Sequence, residues 1–425
     1  MKVLMLYVAT EGVNMPVLPL GMACVASAAE KHGHEVRSVI VGEDAVEARV
    51  SDAVEDFGPE VVGLSARNID DQCRENPRFL VEPVRLAVAA CRRNTNAVLV
   101  LGGAGYSMFP QALLDYTGAD MGVAGEGERA FCGILDSLAQ SRSPEGMPGV
   151  HLPGRPPGTA LASDPETLLA PPPAPGRHVT VPSHWNPADV WVPIQSRRGC
   201  PMGCVYCSTG NIEGRILRKR PVRDVVENLS AFADAGLRQF FFVDNTFNFP
   251  PTYAKAMCDA IAGSGLDIAW RAIIYPKGVD EDLVERMAAA GCAGVSLGFE
   301  SGCQATLDAY GKKFTPADVV RIANLFRKHG MFPMGFLMLG GPGETPETVR
   351  RSMEFVESLG LGMMKVTQGV RIYPDTPLAE IARREGVIVP DDDLLHPRFY
   401  IRPGMETCVE ESLAQWKRDH PEWFR

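Results

Sequence analysis

Short apolar runs alternate with longer amphipathic stretches from the first residues of the chain. Val3–Val8 reads as a strand, Leu20–His32 as a helix closed by Gly33, Val36–Val41 as a strand, Val46–Phe57 as a helix and Val61–Ser65 as a strand. Val81–Arg92 follows as a helix, Ala97–Leu101 as a strand, Pro110–Tyr116 as a short helix and Met121–Ala124 as a strand, and another helix opens at Glu128. Short apolar strands separated by helices predict a parallel, doubly wound, Rossmann-like sheet over residues 1–140. Such sheets take ligands in the crevice at the carboxyl ends of their strands. The loops there run Leu64–Asp70, Gly102–Ser107 and Gly125–Glu128. Ser65, Arg67, Asn68, Gly102, Gly103, Gly105, Tyr106, Gly125 and Glu126 are therefore candidate contacts for a bulky ligand, with glycine letting it approach the backbone. No G-x-G-x-x-G follows the first strand, which argues against a dinucleotide.

Residues 141–189 break the alternation. Pro and Gly crowd this stretch, with Pro156-Pro157 and Pro171-Pro172-Pro173, so it reads as an extended surface connector. His184 and Trp185 close it, as packing residues. From 190 to 390 the alternation resumes. Strands are expected at Val190–Ile194, Phe240–Val243, Ile268–Ile274, Gly294–Phe299, Met334–Leu339 and Met363–Val370. Helices lie between them, two opened by the cap pairs Thr315-Pro316 and Thr345-Pro346. Six βα repeats predict a partial (β/α)6 barrel, with the chemistry at the strand C-termini. In the tail, 391–425, Asp391–Asp393 is expected to be exposed, and Phe399 and Tyr400 either fold over the barrel mouth or precede a helical cap at Glu410–Lys417.

Composition narrows the function. There is no run of 18 apolar residues, hence no expected membrane span, and the apolar N-terminus reads as a buried strand rather than a signal peptide. A net charge of −10 argues against a nucleic-acid partner. The 11 cysteines are odd in number, and Cys24, Cys91, Cys132, Cys258 and Cys292 fall in apolar or helical patterns. That usage suits free thiols in a reducing cytoplasm.

Cys200, Cys204 and Cys207 stand apart, at spacing C-x3-C-x2-C behind a predicted strand. Three thiolates on one loop can hold three irons of a [4Fe–4S] cluster and leave the fourth open, since closing the ordinary site takes four. A structural zinc would need four ligands, and no fourth Cys or His lies nearby. With Tyr206 directly before the last cysteine, the triplet resembles the radical S-adenosylmethionine (SAM) superfamily. The resemblance implies that the open iron chelates SAM and that one electron cleaves it to a 5′-deoxyadenosyl radical. It also implies SAM contacts from Tyr206, from Asp244 and Asn245 after the second strand, from Glu300 within Gly298–Gly302, and from Phe336 at the start of the Phe336–Gly341 segment. Gly340–Thr345 matches the turn and helix cap of that family. Arg271, Lys277 and Arg371 are candidates to hold a carboxylate of SAM or substrate. Tyr373 is a candidate catalytic proton or radical relay, with plain packing as its other reading.

The doubly wound domain ahead of this barrel resembles the cobalamin-binding domain of cobalamin-dependent radical SAM enzymes, class B methyltransferases in particular. The D-x-H-x-x-G motif that supplies a histidine to cobalt is absent, so Arg67 or Asn68 is expected at the lower face of the metal. The resemblance implies methylation of an unactivated carbon of a small-molecule substrate: one SAM methylates cob(I)alamin, a second yields the radical, and the substrate radical takes methyl from methylcobalamin. An electron donor such as flavodoxin or ferredoxin is implied as partner. Cyclisation or rearrangement without methyl transfer, a methylthiotransferase and a non-catalytic cobalamin sensor remain as alternatives. The methylthiotransferase would need a second cluster, for which only Cys73 is loop-like.

Overall fold

The computed structural model describes residues 1–9, 18–155, 172–183 and 185–421. Pro156, Pro157, Pro171 and His184 lie outside them.

The chain begins with β1 (Lys2–Ala9), α1 (Leu20–Lys31), β2 (Glu35–Gly42), α2 (Val46–Phe57), β3 (Val61–Ser65) and α3 (Glu82–Asn94). It continues with β4 (Val98–Gly102), α4 (Ala104–Met108), α5 (Pro110–Thr117), β5 (Met121–Val123), α6 (Gly127–Ala139) and β6 (Val150–His151). These strands form one sheet in the order β2-β1-β3-β4-β5-β6. The first five are parallel, and β6 runs antiparallel to β5. Alternation along β1 explains the two helix layers. Leu4, Leu6 and Val8 face the core beneath α2, α3 and α5, and Val3, Met5 and Tyr7 face α1 and α6. Strand β6 is a departure, because it falls in the stretch expected to be irregular. Val150 is buried there against the β5 edge, and two residues between Gly149 and Pro153 are enough for the pairing.

The second half comprises β7 (Val192–Ile194), β8 (Arg197–Arg198), α7 (Thr209–Ile212), β9 (Arg218–Lys219), α8 (Val222–Asp234), β10 (Gln239–Phe242), α9 (Pro251–Gly263) and β11 (Ala269–Ile274). Then come α10 (Glu281–Ala289), β12 (Cys292–Glu300), α11 (Gln304–Ala309), α12 (Pro316–Lys328), β13 (Phe332–Leu339), α13 (Pro346–Leu359) and β14 (Met363–Gln368). The chain ends with β15 (Val370–Arg371), α14 (Pro377–Arg384), β16 (Phe399–Tyr400) and α15 (Glu406–Asp419). Six parallel strands form an arc in the order β14-β13-β12-β11-β10-β7, so β7 and β14 are its edges. The predicted caps hold: Thr315 and Thr345 each close a capping box with Pro at the first turn.

The last barrel strand is shorter than expected. Gly369, at φ 74°, turns the chain out of β14, and Val370–Arg371 pair instead with Phe399–Tyr400 of the tail. Helix α15 packs on α13 and β14, where Trp416 Nε1 donates to Glu357 at 3.0 Å. Ile372, Leu378 and Tyr400 join the apolar cluster beneath the N-terminal sheet, so one core runs from the first sheet into the segment after the barrel. No helix among the described residues is long and apolar enough to cross a membrane.

Candidate active site between the two sheets

The cysteine loop leaves β7 through the short β8. Gly199 sits at φ 89°, and a Cβ there would lie 2.1 Å from the Ile216 carbonyl oxygen, so glycine is required. Cys200 N–H donates to Gly214 O at 3.1 Å, and Cys207 N–H to Cys204 O at 3.2 Å. Val205 N–H donates to Tyr310 O at 3.1 Å, which ties the loop to the end of α11. All three cysteines are half-buried. Burial pushes the Cys200 thiol up to about 11 and raises Cys204, so loading must displace these protons. The sulfurs are too widely spaced to close on one ion. Among the described residues, the donor groups that all come within 4.8 Å of one another are His32, His34 and Asp136, and Glu281, Glu285 and His329. A single zinc binds each sulfur at about 2.3 Å, whereas in a cluster each cysteine takes its own iron. The triplet thus fits a cluster better than zinc.

A carboxylate from the next strand holds the loop's approach. Asp244, fully buried, accepts from the backbone N–H of Ser196 at 2.8 Å and of Arg197 at 3.1 Å. Both its oxygens are occupied, because Ser196 Oγ donates to the other at 2.5 Å. Asp244 is therefore a structural anchor for the loop, not the free SAM contact expected of it. Its neighbour Asn245 does face the cleft. Asn245 Nδ2 donates to Glu213 at 2.9 Å, and Thr209 Oγ1 lies 3.3 Å from Asn245 Oδ1. Glu213 also accepts from Gln195 Nε2 at 2.9 Å and Gly199 N–H at 3.1 Å, and burial raises its pKa.

Glu300 ends β12 at φ 65°, a left-handed conformation that is rare for a non-glycine residue. Its Oε1 accepts from Tyr206 Oη at 3.0 Å and from Lys312 Nζ at 3.2 Å. Burial opposes the charge on Lys312, but Glu300 and the Cys204 sulfur beside it outweigh burial and raise its pKa. Tyr206, Glu300 and Lys312 thus form one unit against the cysteine loop.

Residues of both sheets line a cleft with about 1630 Å³ of atom-free space, including its open mouth. Ser65, Arg67, Gly102, Gly103, Gly125 and Glu126 line it from the N-terminal sheet, and Gln195, Thr209, Glu213 and Asn245 from the barrel side. Gly103, at φ 105°, lies so close to the Ala66 carbonyl that a Cβ would meet it at 2.6 Å. This wall of bare backbone fits a flat, bulky cofactor such as a corrin. Arg67 is exposed on it, near the Tyr7 hydroxyl. The cleft is locked across the two halves: Arg198 reaches Glu128 at 2.6 Å and Glu126 at 3.3 Å, and Arg218 also binds Glu126.

Other expected site residues lie elsewhere. Tyr106 is fully buried against Gly122, and Gly105 packs on Ala66 O; both belong to the core because α4 turns them inward. Asn68 does not line the cleft. Arg371 cannot hold a carboxylate of SAM, since its guanidinium binds Asp70 at 2.7 Å and the Leu394 carbonyl at 2.9 Å. Tyr373 lies off the cleft wall: its hydroxyl accepts from Gln72 and its ring lies 5.0 Å from the Arg371 guanidinium, so packing is its observed role. Lys277 is exposed. Phe336 is half-buried on the inner barrel wall, and Arg271 shares that wall, level with Phe241 and Gly294, well below the strand ends. Cys24 and Cys91 are buried in helices and Cys73 is exposed, so they do not assemble a second cluster site.

Residues 194–356 match the Radical SAM superfamily, and residues 8–135 match the B12 binding domain. An uncharacterised methyltransferase of Pyrococcus horikoshii is 28% identical over 398 residues, covering 90% of this chain and 83% of that protein. A tryptophan 2-C-methyltransferase of Streptomyces laurentii is 26% identical over 440 residues, covering 87% and 72%. Among solved structures, the radical SAM methyltransferase TsrM of Kitasatospora setae, with tryptophan and a SAM analogue bound, shares the fold at a TM-score of 0.82 and 24% identity, covering 91% of this chain and 77% of that one.

Proposed function

The chain belongs to the cobalamin-dependent radical SAM methyltransferases, and within that family we propose that it methylates an unactivated carbon of a small molecule. The observation that carries this reading is the shared cleft: Arg198 and Thr209, which flank the cysteine loop, line one space with the glycine-walled strand ends. When bound, the cluster with SAM supplies a carbon radical able to remove hydrogen from substrate, and the corrin supplies the methyl group.

The residues of the chain then have the following parts. Cys200, Cys204 and Cys207 would hold three irons, with Asp244 fixing the backbone that leads into their loop. Glu300, steadied by Tyr206 and Lys312, keeps Oε2 without a protein hydrogen bond among the described residues, available to a SAM hydroxyl or ammonium. Asn245 and Thr209 border the same space next to Cys207. Gly102, Gly103 and Gly125 would admit a corrin to the backbone, and Arg67, on the same wall, would face it where no histidine is offered. The Arg198 ion pairs hold the two cofactor walls in register and exclude water. A flavodoxin or ferredoxin supplies the electron.

The test is turnover of protein reconstituted anaerobically with iron, sulfide and hydroxocobalamin, given a low-potential reductant and methyl-labelled SAM. Expected are 5′-deoxyadenosine and a product carrying the label on carbon. Deoxyadenosine with an unlabelled, rearranged product would replace methylation by rearrangement, and no deoxyadenosine at all would overturn the reading.

A further inference from the structure

The inner wall of the barrel carries a feature that the cluster and corrin do not use. Along β10 and β11, Phe240, Phe242, Trp270, Ala272 and Ile274 pack outward against the helices. The alternate positions Phe241, Arg271 and Ile273 therefore face the lumen. By the same alternation β13 turns Phe332, Met334 and Phe336 inward, and β14 turns Met363 and Lys365 inward. A barrel interior is ordinarily filled by side chains. Here Gly294, Ser296 and Gly298 on β12 leave room, and Phe332 and Met363 are 46% and 49% exposed.

Arg271 stands in that space with no acidic partner. Its guanidinium lies 4.0 Å from the Trp191 ring centroid, a stacked cation–π contact, and it makes no ion pair or hydrogen bond among the described residues. Partial burial lowers its pKa, and no neighbouring acid offsets that. The one carboxylate at an inward position of β12, Glu300, is held by Lys312. An uncompensated, stacked guanidinium on an apolar wall forms a place for an anion that brings its own apolar body.

We propose that Arg271, stacked on Trp191 on the inner wall of the barrel, holds an oxyanion group of the substrate. This deepens the methyltransferase reading and rests on it. Arg271 lies three residues before the end of β11, about 10 Å of strand at about 3.3 Å per residue. The substrate is thus a small molecule whose oxyanion, a carboxylate or a phosphonate, is separated from the reacting carbon by a span of that order. Phe332, Met334 and Met363 contact its apolar part.

The test is calorimetric binding to the cofactor-loaded full chain, with three probes sharing one body: 3-phenylpropionate, 3-phenylpropylphosphonate and 3-phenylpropanol. Expected is binding of at least one anionic probe, at least ~10-fold tighter than the alcohol, undisturbed by saturating SAM. Arg271→Gln removes that preference, Arg271→Lys restores part of it, and Trp191→Leu, a separate probe of the site should Arg271→Gln fold poorly, weakens it. Whichever anion binds better identifies the oxyanion. Equal binding of charged and neutral probes, no binding of either anion, displacement by SAM, or full affinity in Arg271→Gln overturns the proposal. The methyltransferase reading is judged separately, from deoxyadenosine made by the wild-type chain.

Discussion

Arg198 and Glu128 meet at 2.6 Å across the two halves of the molecule, joining the residue just before the cysteine loop to the first turn of α6. Burial alone would raise the Glu128 carboxyl, yet Arg198 holds it below the usual carboxylate range. Removing one partner of such a pair strands the other in low dielectric, typically at a cost of 3–5 kcal/mol. Arg198→Met is therefore expected to lose ~3 kcal/mol of stability and to weaken corrin retention, because both glutamates it holds stand at the cleft. Urea unfolding and cobalamin retention on gel filtration check both. The double variant Arg198→Met/Glu128→Leu is expected to recover part of the loss.

Glu344 makes stability depend on pH. Its carboxyl is fully buried, accepts from the backbone N–H groups of Gly340 and Gly341, and is pushed up to about 7 by burial. The unfolded chain releases this proton near pH 4.5 while the folded chain retains it. The stabilisation is complete below about pH 4.5 and is lost as pH rises through about 7. At 1.36 kcal/mol per unit this amounts to about 3 kcal/mol across the window. Glu344→Gln, which keeps an acceptor for both N–H groups, is expected to flatten that part of the profile. Melting temperatures of the two proteins from pH 5 to 8 would show their difference shrinking or reversing toward pH 8.

Residues legible in the sequence were those whose role is local. The parallel strands of both sheets could be read because each is an apolar run and each helix a stripe, as with Val225, Leu229 and Phe232 on α8. The caps at Thr315 and Thr345 contact residues three positions away, and the cysteine triplet is contained in one loop. Roles set by distant partners were not legible. Arg371 resembles a free cation after a strand until Asp70, 301 residues earlier, is found against it. Asp244 sits where a SAM contact was expected, but the backbone of Ser196 and Arg197, more than 40 residues back, occupies it. Glu213 and Lys312 escaped notice because neither lies in a motif or at a predicted strand end. Each matters only through what the fold brings to it, Asn245 and Gly199 for one, Glu300 and Cys204 for the other.

Lys312 separates cluster assembly from SAM binding. It is not an iron ligand, but its charge pairs with Glu300 and holds it beside Tyr206. Lys312→Met leaves that buried carboxylate without its cation and without one of its two hydrogen bonds. The variant is expected to assemble its cluster at about four irons per chain while its affinity for SAM falls about 10-fold. Iron analysis and equilibrium dialysis with SAM check the two halves independently. A parallel loss of iron would show that Lys312 acts on the loop instead.

Asp244 has the reverse signature. It is buried beneath the loop, both its oxygens are occupied by Ser196 and Arg197, and Arg197 Nε approaches it at 3.5 Å. Asp244→Ala removes the acceptor for two backbone N–H groups and leaves the buried Arg197 without its counter-charge, a loss of ~3 kcal/mol or more. Asp244→Asn keeps one acceptor oxygen for the backbone but loses the charge, and is expected to fall between Asp244→Ala and wild type. Because the loop they support presents all three cysteines, the deficit should appear first as iron content, decreasing from wild type to Asn to Ala. Molecules that do load a cluster should bind SAM with nearly wild-type affinity, since Asp244 lends SAM no free oxygen. Weaker SAM binding at full iron content would instead return Asp244 to the role of a direct SAM contact.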